Sequence, residues 1–196
     1  MNVSVHKLFA GQILLILCCA LYLVWWSVSY RPGISVSRVS GFRGLLLMIT
    51  ALCGVTGMVL SVAGANHLPG SSARKLSGTF ILISGVVLYF IMMLITTIVF
   101  HRIVTTELFL ITGWGALELM AVSALNGAGI FQNGAFLGMA AVIAAAWILS
   151  MVLYVLYYRM EAHRAFYAAM VPLIAEAASM LILIIVLLFN IRNSAQ

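Results

Sequence analysis

Two glutamates, Glu118 and Glu176, stand where a carboxyl is conspicuous, each enclosed by apolar neighbours in the stretches ALELM and LIAEAAS. An ionised carboxylate in hydrocarbon is costly, so each must face other protein or a water-filled cavity. A carboxyl held in that way can exchange a proton with its surroundings, or hold a cation or an amine. The plainer alternative is a protonated side chain hydrogen-bonded across a pair of helices. Trp114 lies one turn before Glu118, between Gly113 and Gly115. Its indole could wall a cavity and present a face to an organic cation, or simply fill a gap between helices. Pro172 precedes Glu176 by one turn, and its ring removes the bond that would otherwise reach the carbonyl of Ala168. Interrupted helices of this kind mark many binding sites near the middle of a membrane. Tyr89 and Trp147 lie at similar depth, and their polar tips need partners.

A second group of polar residues gathers at the ends of apolar runs: Arg38, Arg43, His101, Arg102, Arg159, His163 and Arg164, with Glu107 and Glu161 among them. The dipeptide His-Arg recurs at 101–102 and 163–164, each time at a helix boundary. Such a cluster could hold a phosphate or carboxylate headgroup. The simpler expectation is interfacial charge paired with the two glutamates and with lipid phosphates.

Cofactor chemistry finds no purchase in the sequence. His6, His67, His101 and His163 all sit in linkers or at helix ends, where no pair could grip a haem from inside a bundle. There is no HExxH, no C-x-x-C, no serine hydrolase elbow and no glycine-rich phosphate loop. Cys18, Cys19 and Cys53 lie within apolar runs and read as small hydrophobes in helix packing. Neither metal nor cofactor is expected.

The elements that must position these residues follow from composition. Of 196 residues, 65% are hydrophobic and only 7% charged, and the mean hydropathy is +1.20. A soluble domain carries about 25% charged residues to cover its surface, so lipid must be the solvent over most of this chain. The hydropathy pattern predicts an all-α polytopic integral membrane protein, a bundle of six transmembrane helices forming a single domain over 1–196. The helices are expected over about 8–28, 42–64, 77–99, 104–124, 135–158 and 166–189. The first run is longer than a signal-peptide core and no clear cleavage site follows it, so it reads as a membrane helix. Trp25, Trp26 and Tyr30 close it, and Tyr154, Tyr157 and Tyr158 close the fifth, as interfacial anchors. Gly54, Gly57, Ser61 and Gly64 recur at spacings of three and four, which puts small side chains along one face of the second helix.

The formal charge is +6. The basic residues stand singly or in pairs between apolar runs, which suits anionic headgroups and not nucleic acid. Arg31, Arg38, Arg43, Arg102, Arg159 and Arg164 fall on one side of the expected bundle, and Lys7, Arg74, Lys75 and Arg192 on the other. This asymmetry places the termini on the extracytoplasmic side of a cell membrane. If the fourth and sixth helices start from the same face, Glu118 and Glu176 differ in depth by about 6 Å.

The reading that follows is a small transporter or channel subunit for a small polar or cationic solute, with proton coupling through the two carboxyls. Its expected partners are membrane lipids, the solute, and further copies of the chain or other subunits of a membrane complex. Two other readings use other features. A subunit with a purely structural role would use the small-residue faces for assembly. A membrane-embedded enzyme would hold a lipid headgroup on the arginine and histidine face, but the acids lie about 12–20 Å from it by helix rise.

Overall fold

In the computed structural model of the chain, residues 3–30, 40–68, 75–99, 106–157 and 159–194 are described, with 40, 75–79, 82, 96, 99, 106–109, 193 and 194 described by their backbone alone. The described residues form helices and short turns, with no strand among them. The helices are α1 (Val3–Tyr30), α2 (Ser40–Asn66), α3 (Lys75–Val99), α4 (Thr106–Gly127), α5 (Asn133–Tyr157), α6 (Ala162–Ala168) and α7 (Met170–Ser194). Among the described residues four segments are long and apolar enough to cross a membrane: Val3–Tyr30, Gly41–Asn66, Asn133–Tyr157 and Ala162–Arg192, the last passing through both α6 and α7. α3 adds a shorter apolar stretch, Ile83–Ile95.

Polar side chains in these helices are handled locally. Ser27, Thr50, Ser150 and Asn190 each donate to the carbonyl four residues earlier, at 2.8 Å. Such back-bonding satisfies a hydroxyl or amide without calling on water, which an apolar medium does not supply.

α4 is the axis of the bundle. Its buried residues, among them Ile111, Trp114, Leu117, Glu118, Met120, Ala121, Val122 and Leu125, point to every side, and it meets α2, α3, α5 and α7. A helix surrounded by protein need not be uniformly apolar, which is why α4 can bury Thr112 and Glu118. The turn after it contains Gly129, whose φ of 73° favours glycine, while the N–H groups of Ile130 and Phe131 both donate to the Leu125 carbonyl.

α1 and α2 form the closest pair. α1 buries Leu8, Gly11, Gln12, Leu15, Cys18, Cys19 and Tyr22, a stripe of heptad-like spacing. α2 meets it with Thr50, Gly54, Gly57, Ser61 and Gly64, all buried. The contact is tied at one end by Ser4 Oγ donating to the His67 carbonyl at 3.0 Å. Arg43 donates to the Val28 carbonyl at 2.9 Å at the other end. Between them, Cys18 Sγ donates to the Thr50 carbonyl and Gln12 Nε2 to Ser61 Oγ, at 3.3 and 3.4 Å. Where lipid is the medium, apolar burial does not drive helices together, so close packing and hydrogen bonds of this kind must do so.

The final helix departs from the single span expected over about 166–189. It begins earlier, at Ala162, and is interrupted at Ala169, with φ −67° and ψ −20°. Pro172 cannot donate to the Ala168 carbonyl, and its ring crowds the turn before it. The break therefore falls three residues ahead of the proline, and the backbone there stays near helical, so α6 and α7 are joined by a kink. α7 then buries Leu173, Glu176, Ser179, Met180, Leu183 and Leu187 on one face.

Candidate functional site

Glu118 of α4 and Glu176 of α7 are both buried, at 0% and 2% exposure. Helical spacing turns Glu176 and Ser179, three residues apart, toward the same neighbour, α4. Ser179 Oγ lies 2.8 Å from each carboxyl oxygen of Glu118 and 2.9 Å from the carbonyl of Glu176. One hydroxyl hydrogen cannot serve three acceptors. With Glu118 ionised, Ser179 donates to one of its oxygens. With Glu118 protonated, the carboxyl donates to Ser179 Oγ and the serine hydrogen passes to the Glu176 carbonyl. The same heavy-atom positions satisfy both forms, so a proton can arrive or leave without a rotamer change.

Glu176 is held differently. Neither of its carboxyl oxygens has a hydrogen-bond partner. Ser150 of α5 stands beside it, but donates to the Ala146 carbonyl of its own helix at 2.8 Å. A buried carboxyl whose neighbouring hydroxyl is committed to its own helix is under-satisfied, and a proton or a cation would complete it. Near both acids lie Cys19 of α1 and Trp114 of α4. The Trp114 Nε1 is buried, with the Cys19 thiol as its polar neighbour.

Glu176 and Trp114 line a cavity of about 220 Å³ together with Cys18, Cys19, Tyr22, Thr50 and Gly54. Gly54 makes room for it: a Cβ there would sit 3.1 Å from Cys18 Sγ and 3.7 Å from the Trp114 ring. Leu47, Ala51 and Val55 of α2 also line the cavity and belong to the exposed face of that helix. The cavity therefore opens sideways, past α2. The chamber's surface is almost wholly apolar and the Glu176 carboxyl oxygens lie buried behind it, so it fits an apolar body, and a charged group would meet the carboxyl only after local movement.

The structure thus brings Glu118, Glu176 and Trp114 together. It separates Pro172 from them: Pro172 lines a different cavity, of about 230 Å³, beside Tyr154 and Tyr157. Tyr89 packs with Ile111, Met92, Trp147, Met151 and Tyr154 on the α3–α4–α5 side, away from the glutamate cavity. Of the basic group, Arg159, His163 and Arg164 are exposed around the start of α6, and the His163 ring packs on Tyr167 at 5.2 Å. Arg43 is committed to the α1–α2 contact. Arg38, His101 and Arg102 lie outside the described residues.

Sequence reasoning passed over Ser179. Its signal was its position one turn beyond Glu176, on the same helix face. Cys19 was read as packing alone, and it is indeed buried, but among the acids. Ser179→Ala is expected to lower stability by about 1–3 kcal/mol, because Glu118 loses the donor that holds it. Thermal unfolding in detergent reads this directly, and an unchanged Tm would mean that Glu118 does not depend on the serine.

Comparison with protein families, curated proteins and solved structures gives no match for this chain.

Proposed function

We propose that this chain is a multi-pass protein of the cell membrane, crossing it six times, that moves a small organic cation in exchange for protons. The observation that carries the reading is the Glu176 carboxyl, buried on the wall of a cavity with both oxygens unpartnered. Such a group has one vacancy and two ways to fill it, a proton or a cation, and competition between them is what couples two fluxes. Glu118, with a hydrogen-bonding arrangement that serves both of its protonation states, supplies a second proton acceptor nearby. The unequal distribution of arginine and lysine supports termini on the extracytoplasmic side.

The direct test uses purified protein in liposomes with an acidic interior. Radiolabelled tetraethylammonium, which crosses lipid poorly, is added outside. Uptake above protein-free liposomes that collapses when the proton gradient is dissipated is the expected result. Uptake equal to that of empty liposomes, across a panel of organic cations, removes the transport reading.

A second reading, a subunit of a larger membrane complex, has one observation in its favour. α3 packs mainly on α4 and leaves Phe80, Ile83, Val87, Phe90, Leu94 and Ile98 exposed, a surface that another helix could cover as well as lipid.

A further inference from the structure

The cavity that holds Pro172 differs in character from the one that holds Glu176. It is lined by Trp26 and Tyr30 from α1, Tyr154 and Tyr157 from α5, and Ala168, Ala169 and Pro172 at the kink between α6 and α7. Among the described residues no carboxylate lines it. Its chemistry is that of ring faces and of a helix end. The Trp26 and Tyr30 rings stack at 4.4 Å with 39° between their planes, and Trp26 Nε1 donates to the Phe166 carbonyl at 3.3 Å. The indole N–H is thus engaged with backbone. Pro172 has no N–H to offer the Ala168 carbonyl, which faces the end of a helix where carbonyl charge accumulates. Ring faces attract positive charge and repel anions.

Two residues, Ile111 and Leu173, line this cavity and the glutamate cavity alike. Both are buried, so together they form the partition between the chambers. Leu173 directly follows the proline and lies three residues before Glu176, on the same side of α7. A pivot at the kink would carry it in or out of the partition.

Resting on the reading of Glu176 as a cation site, we infer that the aromatic cavity is an outer binding site for the same class of ligand, a monovalent organic cation with an apolar body. It stands in series with the Glu176 cavity, and Ile111 and Leu173 are the barrier between them. The outer site holds its ligand by ring faces, and so weakly. The inner site adds a full negative charge, and so holds it more tightly. A cation entering from the aromatic end moves from weak to strong binding once Leu173 swings aside.

Equilibrium binding of radiolabelled tetraethylammonium to the full chain in lipid nanodiscs tests this. Glu176→Gln removes the inner charge and leaves the outer site alone to be measured. In that background the paired change Tyr30→Ala and Tyr157→Ala should weaken the remaining binding about tenfold, two ring faces being lost. Tyr30 is exposed and Tyr157 half-buried, so both positions tolerate truncation, and monodisperse elution confirms folding. Tyr30→Phe with Tyr157→Phe keeps the rings and should keep the binding. The outer site is overturned if the Glu176→Gln protein binds no more tetraethylammonium than empty nanodiscs, or if the two phenylalanines cost as much as the two alanines. The transport reading fails separately, when the Glu176→Gln protein binds the cation as described but the unaltered chain shows no proton-driven uptake.

Discussion

Glu176→Gln is expected to abolish proton-driven cation uptake, by at least about a hundredfold, in a protein that folds and inserts normally. The substitution keeps the shape of the side chain and removes its charge and its proton. The structure explains why folding should tolerate it. The carboxyl's polar neighbour is the Ser150 hydroxyl, and an amide can accept from it or donate to it, so that contact survives the substitution. An unpaired carboxyl is a poor contributor to stability, and replacing a buried charge-bearing group by a neutral one is often neutral or favourable. The proposed proton-coupled transport has no such latitude. Without a group that binds either a proton or the cation, the two fluxes have nothing in common. The measurement is uptake by liposomes reconstituted with equal amounts of each protein, with Tm as the check on folding. A Glu176→Gln protein that transports at the rate of the unaltered chain would remove Glu176 from the mechanism. Glu118→Gln offers the contrast. Its amide oxygen can still accept from Ser179, but the carboxyl proton is gone, so a fall in coupling there without a fall in stability would assign Glu118 to proton transfer.

The parts of this site that could be read from the sequence were those decided by one helix alone. An acid in the middle of an apolar run announces itself, and helix rise gives its depth, so Glu118 and Glu176 stood out and their levels could be compared. Depth says nothing of azimuth against a neighbouring helix. Tyr89 has the expected depth, yet α3 presents it to the cluster of Ile111 and Tyr154 and not to the acids. Pro172 was placed with Glu176 because the two are one turn apart. Leu173, interposed between them, divides the space, and the proline faces the other side of that division. Ser179 was passed over for a different reason: a serine in a membrane helix ordinarily bonds back to its own turn, as Ser27 and Ser150 do. Only the position of α4 makes Ser179 a partner of Glu118. The small residues of α2 were legible as a face because their spacing is a property of that helix, while their partner, the stripe from Leu8 to Tyr22 on α1, was not.

That face yields the largest structural effect expected in the molecule. Gly64→Val should separate α1 from α2 and leave a protein that is unstable in detergent, or that does not accumulate at all. A Cβ built at Gly64 would lie 2.5 Å from the backbone nitrogen of Leu8 and 2.8 Å from its Cα. Real Cβ atoms do not approach backbone so closely, and backbone cannot rotate away as a side-chain tip can. The same interlock recurs about one turn along, where a Cβ at Gly11 would meet the backbone nitrogen of Ser61 at 2.6 Å and the carbonyl of Gly57 at 2.8 Å. Relief at one point must therefore tilt the whole pair, stretching the Ser4–His67, Gln12–Ser61 and Cys18–Thr50 bonds together. Overpacking a single core position typically costs about 1–3 kcal/mol. Here the obstruction is backbone on backbone and the lost bonds add to it, so a cost at or above the upper end is expected. Gly44→Val on the same helix is the control: a Cβ there meets nothing within 4 Å, and its Tm should stay close to that of the unaltered chain. The two variants compared by thermal unfolding in one detergent separate helix propensity from interhelical contact, since both place a valine in α2. Equal Tm values for the two would mean that α1 and α2 are not packed as closely as the small-residue face requires. Because Cys18, Cys19, Thr50 and Gly54 of this pair also form one wall of the Glu176 cavity, a partial loss of the contact should reach cation binding before it reaches the fold.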